Sequence, residues 1–193
     1  MRKIFSKILS FPKFYFYLLL GKLLGISCII RYLRNPDPSI SIHLLRAFGA
    51  KIGVRTTIKR TIFLDNVYED ENSKGNFSHL KIGDNCYVGD CVYFDLANEI
   101  IIGDNVVISG GVSFITHADC NRSKYLSEKF PRTCKRIIIN DGAWIGFRTI
   151  ILNGSTIGQN SVIAAGSLVK EDVEKYCLYS GVPAKKIKSL LDA

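Results

Sequence analysis

The chain has 193 residues, enough for one domain with a real hydrophobic core, alone or with an appendage. Lys and Arg number 26 against 17 Asp and Glu, a formal charge of +9, which favours an anionic partner: a phosphate-bearing cofactor, an anionic membrane or nucleic acid. The six cysteines, Cys28, Cys86, Cys91, Cys120, Cys134 and Cys177, contain no CxxC pair, so they read as reduced thiols of a cytosolic protein and not as a disulfide frame or a zinc site.

The first 34 residues differ from the rest. Phe11, Phe14, Tyr15, Phe16, Tyr17, Leu18 to Leu20, Leu23, Leu24, Ile26, Ile29 and Ile30 are apolar; Lys3, Lys7, Lys13, Lys22, Arg31 and Arg34 interrupt them, and no acidic residue does. The basic start suits a secretory signal, but no small-residue cleavage site follows the apolar run. The run from Phe14 to Ile30 is short of the ~20 residues that a membrane span needs, and Lys22 breaks it. Two better readings stay open: a cationic, aromatic-rich segment lying in the membrane interface, giving a peripheral membrane protein on the cytoplasmic face, or a helical arm packed on the protein's own body or on a sister subunit. Asn35-Pro36-Asp37-Pro38 is a break, after which Ser39 is expected to cap a short helix over Ile40, Leu44, Ala47 and Phe48 that Gly49 ends. Residues 1–48 are therefore expected to form an N-terminal helical arm, with His43 structural.

From there on the chain is governed by a period of six. Ile52, Ile58 and Leu64 give a short first run. Tyr68 to Ser78 is polar and out of phase, a solvent loop, and His79 after it reads as a surface or packing residue. The phase returns at Ile82-Gly83-Asp84-Asn85 and Val88-Gly89-Asp90, slips by two residues at Ile100-Ile101, restarts at Ile102-Gly103-Asp104-Asn105, and runs through Ile108 and Phe114 to His117. It is lost again from Ala118 to about Arg136, an excursion long enough to suggest function. It resumes over Ile139, Ile145, Ile151, Ile157, Ile163 and Val169, with Ala143, Thr149, Ser155, Ser161 and Ser167 at the small position, and is expected to end at Glu171-Asp172. Gly181-Val182-Pro183-Ala184-Lys185-Lys186-Ile187-Lys188 closes the chain, followed by a short helix.

Six is neither the helical period nor the strand period, but it is the period of a hexapeptide β-helix. Each hexad supplies one short strand and one turn. The aliphatic lead points into a three-sided coil, the small residue fits near the corner, and Gly, Asn or Asp takes the positive φ that the turn needs. The coil is expected over residues 49–178, with the excursion at 118–136 and a tail at 179–193.

The hexads, the Thr116-His117 pair before the excursion, the Trp144-Ile145-Gly146 step and the terminal Gly181-Val182-Pro183-Ala184-Lys185 resemble the hexapeptide-repeat acyltransferases, in particular the galactoside and maltose O-acetyltransferases and their relatives that acetylate capsule and lipopolysaccharide sugars. The resemblance covers roughly residues 50–190. It implies an all-β core in the form of a left-handed parallel β-helix, a homotrimer, and an acetyl-coenzyme A site between adjacent subunits. The left hand comes from the resemblance alone, since ordinary crossovers are right-handed.

Acetyl transfer to a hydroxyl needs a base, because a sugar alcohol is un-ionised at neutral pH, and histidine has the pKa for it. His117 stands where the family has its catalytic histidine. A backbone N–H near Gly146-Phe147 is expected to meet the oxyanion by the same analogy; the relatives often have a small hydroxyl residue where Phe147 stands. Asp95-Leu96 stands where similar enzymes have an Asn-Leu step that orients the acceptor, so Asp95 is expected either to bind sugar hydroxyls or to hold the ring of the histidine. For coenzyme A, the resemblance points to Ala165 and Gly166 on the adenine side, Lys170, Lys185 and Lys188 at the phosphates, and Trp144 against the pantetheine or the subunit seam. The family's usual Thr-Lys order is Lys170-Glu171 here. The acceptor is expected to be a sugar or glycan, including one carried on a lipid, in surface polysaccharide or lipopolysaccharide synthesis. An N-acetyltransferase acting on serine or an amino sugar is the nearest alternative, and a non-catalytic scaffold of the same fold is another. A metalloenzyme would need about three histidines, and His43, His79 and His117 lack ligand spacing, so no metal is expected. Nucleic acid is not expected either, because the cations cluster at the chain ends without aromatic interleaving.

Overall fold

The protein is described by a computed structural model over residues 2 to 191, with side chains from Phe11 onward. Its body is a three-sided coil, a left-handed parallel β-helix. The first side is built of β1 (Lys51–Ile52), β4 (Leu80–Ile82), β7 (Ile100–Ile102), β12 (Ile137–Ile139) and β15 (Thr156–Ile157). The second side is β2 (Thr57–Ile58), β5 (Tyr87–Val88), β8 (Val107–Ile108), β13 (Trp144–Ile145), β16 (Val162–Ile163) and β18 (Cys177–Gly181). The third is β3 (Ile62–Asp65), β6 (Val92–Asp95), β9 (Ser113–Ile115), β14 (Ile150–Leu152) and β17 (Leu168–Val169). Neighbours on each side pair in parallel and in register, lead residue over lead residue: Ile82 on Ile102, Ile102 on Ile139, Ile139 on Ile157.

The aliphatic leads fill the axis. Val88, Ile108, Ile145 and Ile163 are fully buried in one row, and Phe94 stacks flat on Phe114 with ring centroids 5.3 Å apart. At the small positions, Ser161 and Ser167 donate to the carbonyls of Gly158 and Ala164, so these buried hydroxyls are satisfied within their own turns.

The Ile-Gly-Asp triplets have a physical reason. At the first corner the Asp of one coil accepts, on Oδ1, the N–H that follows the glycine of the coil before it: Val54 N–H to Asp84 (2.7 Å), Asp84 N–H to Asp104 (2.7 Å), Asp104 N–H to Asp141 (2.8 Å). The carboxylate therefore lies over the glycine. A Cβ on Gly103 would sit 2.1 Å from Asp141 Oδ1. Arg55, Asn85, Asn105 and Gly142, one residue further on, all have positive φ, a conformation that suits Asn and Gly, which hold three of these four places.

Three helices close the N-terminal end: α1 (Arg2–Leu24), α2 (Ser27–Tyr32) and α3 (Pro38–Ala47). Ile29, Leu33, Ile40, Leu44 and Leu45 are buried against the first coil, and Arg46 caps it by donating to the Ile52 and Gly53 carbonyls at 2.7–3.0 Å. Asp37, not Ser39, caps α3: its carboxylate accepts from Ser39 N–H at 3.0 Å, while Pro38 takes the first helical turn, where no N–H is needed. The inner face of α1 packs on this plug through Tyr17 on Tyr32 (3.8 Å) and Phe14 on His43 (6.1 Å). Its outer face leaves Phe11, Tyr15, Phe16, Leu19, Leu23 and Leu24 exposed. Among the described residues no helix is long and apolar enough to cross a membrane.

The other end departs from expectation. The coil does not stop at Glu171-Asp172: Val173 bridges Ile157, and β18 adds a further rung to the second side. The segment before the expected C-terminal helix is a strand, β19 (Ala184–Ser189), antiparallel to β18; no helix follows it among the described residues, and the last two positions of that expectation lie outside them. The unpaired edge of β18 explains this strand, since a closing strand satisfies backbone groups that would otherwise be left open. The excursion is also ordered, as a two-stranded ribbon of β10 (His117–Ala118) and β11 (Thr133–Cys134) around α4 (Lys124–Lys129).

Gly103→Ala should destabilise the fold by about 1–3 kcal/mol through overpacking. Because the clash is with one side chain, the loss in Gly103→Ala combined with Asp141→Ala should be smaller than the sum of the two single losses. Denaturant unfolding at one protein concentration measures this, and strict additivity would show that the glycine is not held by the carboxylate above it.

Candidate active site

Ile139 and Ile157 stand three hexads apart, the length of one uninterrupted coil. The earlier coils are longer, and in every case the surplus leaves at the same corner, the one after the third side: residues 66–79 follow β3, residues 96–99 follow β6, and residues 116–136 follow β9. Three insertions are thereby stacked at one corner. The four-residue turns at the first corner do not vary in length through the five coils.

Asp95 ends β6 beneath this stack, with 1% of its side chain exposed. Five hydrogen bonds satisfy its carboxylate. Oδ2 accepts from the Thr116 N–H (2.8 Å), the His117 N–H (3.1 Å) and His117 Nδ1 (2.7 Å). Oδ1 accepts from Asn66 Nδ2 (2.9 Å) and the Ala97 N–H (3.1 Å). Each of the three insertions thus contributes a donor. Thr116 locks the corner further, since its hydroxyl donates to the Asp95 carbonyl (3.0 Å) and accepts from the Asn98 N–H (3.0 Å).

An ionised carboxylate only accepts, so the proton of neutral His117 resides on Nδ1 and Nε2 carries the lone pair. Among the described residues Nε2 has no hydrogen-bond partner, and the His117 side chain is 24% exposed. Burial pushes the Asp95 carboxyl up, but the hydrogen bonds from His117, Asn66 and Ala97, with the charge of the imidazole, outweigh it and leave the group below the usual carboxylate range. Asp95 thus lies against the ring of His117, its Oδ2 2.7 Å from Nδ1. A side chain buried under the ring, with both oxygens occupied, is not placed to bind sugar hydroxyls.

His79 is a packing histidine: it is buried, and its Nδ1 donates to the Leu96 carbonyl at 2.8 Å. Among the described residues no group of three or more His, Cys, Asp or Glu is placed to hold a metal ion.

The residues expected around the cofactor lie elsewhere on the coil. Trp144 points outward from the second side, half-exposed, and its Nε1 donates to Ser109 Oγ at 3.3 Å. Gly146 and Phe147 make the second corner, with Ala165 and Gly166 one coil further on; the Gly166 N–H donates to the Phe147 carbonyl at 2.8 Å. The Gly146 N–H is spent in the coil ladder, on the Ile163 carbonyl at 2.8 Å, which removes it as an oxyanion donor. Gly146 is required by packing, because a Cβ there would meet Ala165 N at 2.5 Å. The exposed Phe147 ring carries the Arg148 guanidinium 5.1 Å from its centroid. Lys170 and Lys185 converge on Glu171, at 3.6 and 3.7 Å, beside a cleft of about 230 Å³ under the terminal hairpin. Lys188 lies further along β19, opposite Leu178.

Comparison with known proteins agrees with this architecture. Residues 136–171 match the family model "Bacterial transferase hexapeptide (six repeats)". That match covers the last uninterrupted hexads of the coil. A hexapeptide-repeat-containing acetyltransferase from Vibrio cholerae is 27% identical with a TM-score of 0.69, over 83% of this chain and 85% of that one. The same enzyme solved with acetyl-coenzyme A is 25% identical by a longer match, over 96% and 90% of the two chains, with a TM-score of 0.69. A galactoside acetyltransferase in complex with coenzyme A is 25% identical with a TM-score of 0.70, over 89% and 80%. Protein CapG of Staphylococcus aureus is 43% identical over 93 residues, 47% of this chain. The chain spans about half the length, 53%, of that curated relative.

Among the hexapeptide-repeat features, the residues that sequence reasoning missed are those that serve the pair from the insertions, Asn66 above all. Its signal was its phase, since Asn66 follows Asp65 at the corner that Asp95 occupies one coil later.

The buried carboxylate has a consequence for stability. Asp95 ionises at lower pH in the folded protein than in the unfolded chain, where the value is about 3.9. Its contribution to stability is therefore complete above that value and is lost as pH falls through the folded value. Asp95→Asn should cost about 2–5 kcal/mol at pH 7, by setting an amide against N–H donors, and should flatten the acid limb of stability. Urea midpoints from neutral pH to pH 3 measure both, and an unchanged acid limb would place the titration elsewhere.

Proposed function

We propose that the protein is an acetyl-coenzyme A-dependent O-acetyltransferase acting on a sugar hydroxyl. The observation that carries this reading is the Asp95–His117 pair, an imidazole with its proton fixed on Nδ1 and its Nε2 free. His117 takes the proton of the acceptor hydroxyl as the oxygen attacks the thioester carbonyl. The tetrahedral intermediate collapses, the carbon–sulfur bond breaks, and the imidazolium returns the proton to the departing thiolate. Asp95 holds the ring and offsets the transient positive charge, a positioning role. With Gly146 excluded, the Phe147 N–H is the oxyanion donor at its corner. Lys170, Lys185 and Lys188 offer cations to the coenzyme A phosphates, and Ala165 and Gly166 offer exposed backbone on the adenine side. Similarity to acetyltransferases solved with acetyl-coenzyme A or coenzyme A supports the choice of donor.

His117 is at the third corner, whereas Trp144, Phe147, Ala165 and Gly166 belong to the second side and second corner. One chain thus presents two halves of a site across the width of a face, and a homotrimer closed about a three-fold axis joins one copy's half to its neighbour's. His117→Ala should lower turnover by about 10²–10⁴ while acetyl-coenzyme A still binds. Hetero-oligomers formed by co-expressing His117→Ala with a variant disabled at the cofactor half, such as Lys185→Glu with Trp144→Ala, should regain activity in about a quarter of their sites. Near-normal turnover in His117→Ala removes the residue from the mechanism, and a lack of regain places each site within one chain.

The outer face of α1, with Tyr15, Phe16, Leu19 and Leu23 beside Lys13 and Lys22, suits an anionic membrane interface. It would hold the enzyme at the cytoplasmic surface, where a lipid-linked glycan acceptor is met at raised local concentration. The first 34 residues cannot simply be removed to test this, since Ile29 and Leu33 plug the coil. Phe16→Ser, Leu19→Ser and Leu23→Ser together should abolish sedimentation with anionic vesicles, leave oligomer size unchanged and preserve activity on a soluble acceptor. Wild-type protein that stays in the supernatant at low salt, or loss of the oligomer in the triple variant, would make the face a packing surface.

A further inference from the structure

The insertion at 66–79 and the excursion at 116–136 are joined by a closed ring of contacts that passes through the Asp95–His117 pair. His117 pairs with Cys134 across β10 and β11. Two residues before Cys134, Arg132 grips the other insertion: its Nη2 lies 2.6 Å from both Asp70 carboxylate oxygens, and its Nη1 lies 3.0 Å from Glu71 Oε1. The Asp70 N–H donates to Ser73 Oγ, and that hydroxyl donates to the Asn66 carbonyl. Asn66, held at φ 51°, returns to the pair by donating Nδ2 to Asp95 Oδ1 at 2.9 Å. A polar arm more than half a loop away is thereby fixed to the carboxylate that orients the histidine.

We propose that Asn66 and Arg132 are positioning residues for the Asp95–His117 pair, Asn66 directly through Asp95 and Arg132 by clamping the insertion that presents Asn66. This rests on the reading of His117 as the base. Asn66 is suited to the task for two reasons. Among polar residues Asn tolerates the left-handed backbone that this corner requires. Its amide also supplies a donor to an oxygen whose other partner is the Ala97 N–H, so its loss leaves that oxygen of a buried carboxylate under-satisfied. Arg132 is suited because its planar fork reaches two acids at once, which an ammonium cannot reproduce. Other charged groups near this corner include Asp119, 3.8 Å from Arg132 Nε, Asp65, which accepts from the Tyr93 hydroxyl, and Glu99, paired with Lys81.

The test uses the full chain with Asn66→Gly, which keeps the backbone conformation and removes the donor, Asn66→Asp, which keeps the shape and replaces the donor by an acceptor, and Arg132→Gln beside Arg132→Lys. The chain has 3 histidines, so ¹⁵N NMR of the imidazoles resolves His117. Wild type should show the Nδ1-protonated tautomer almost alone. Both Asn66 variants should show a mixture of tautomers, with turnover down about tenfold and the KM for acetyl-coenzyme A within twofold. Arg132→Gln should move in the same direction by less, and Arg132→Lys should recover only part of it. A His117 tautomer and turnover unchanged in both Asn66 variants would overturn the proposal, as would a loss confined to KM. The tautomer is read without substrate: a shifted tautomer in a protein that transfers no acetyl group would uphold the positioning and sink the transferase reading.

Discussion

A strand of two or three residues cannot hold its place in a sheet alone. It does so here because each turn of the coil returns it beneath its predecessor, lead over lead, and neighbouring sides enforce the same return. A residue added within a side would turn an inward lead outward and break the pairing on the sides that follow. Extra chain is tolerated only at a corner, and only if the next side re-enters in phase. The third corner absorbs all of it, while the first corner is fixed by an aspartate ladder lying directly over glycines. Rigid at one corner and permissive at another, the coil gathers its long insertions in one place, and the histidine sits among them.

That arrangement explains why a carboxylate can be buried at the site at all. Removing Asp95 from water would raise its pKa and favour the neutral acid if its oxygens lacked partners. Coil geometry alone supplies few of them, because the ladder N–H groups are already committed to neighbouring coils. The donors come from segments that have left the ladder: the Asn66 amide, the Ala97 N–H, and the N–H groups of Thr116 and His117. The insertions are therefore part of the chemistry of the pair as well as of the shape of its surroundings. Arg132 and Asp70 tie two of them together at the outer rim of the same corner.

Much of this was legible in the sequence. Six-residue spacing gives the coil directly, and the lengths between leads even locate the corner that receives the surplus. The expectation for the histidine came from the family resemblance, together with its place at the mouth of the longest insertion. What was not legible depends on contacts between segments far apart in the chain. Asp95 reads in sequence as a turn residue as readily as a buried carboxylate, since both stand at a strand end beside small residues. Asn66 and Asp95 are linked only because β3 and β6 stack, which no local pattern states. The terminal strand was missed for a different reason: Lys185-Lys186-Ile187-Lys188 has no alternating apolar face, because the strand earns its place through backbone pairing with β18 and not through burial. The arm was ambiguous because α1 is apolar on both faces, so that packing on the body and an exposed apolar stripe coexist in one helix.

The division between coil and corner bears on how such a protein comes to recognise its acceptor. The coil's interior is occupied by aliphatic leads and offers no polar group to a ligand, and its outer faces are strand backbone already paired above and below. On the proposed mechanism an acceptor hydroxyl comes within hydrogen-bonding reach of His117 Nε2, which limits it to the third corner and to whatever a neighbouring copy would bring there. Within one chain the side chains available at that corner belong to the insertions. Their length and composition can change without touching the register of the coil, provided that the donors to Asp95 are kept. On that proposal acceptor choice is separated physically from the machinery that sets the proton on Nδ1, and Asp95, which lies against His117, belongs to the second of these tasks.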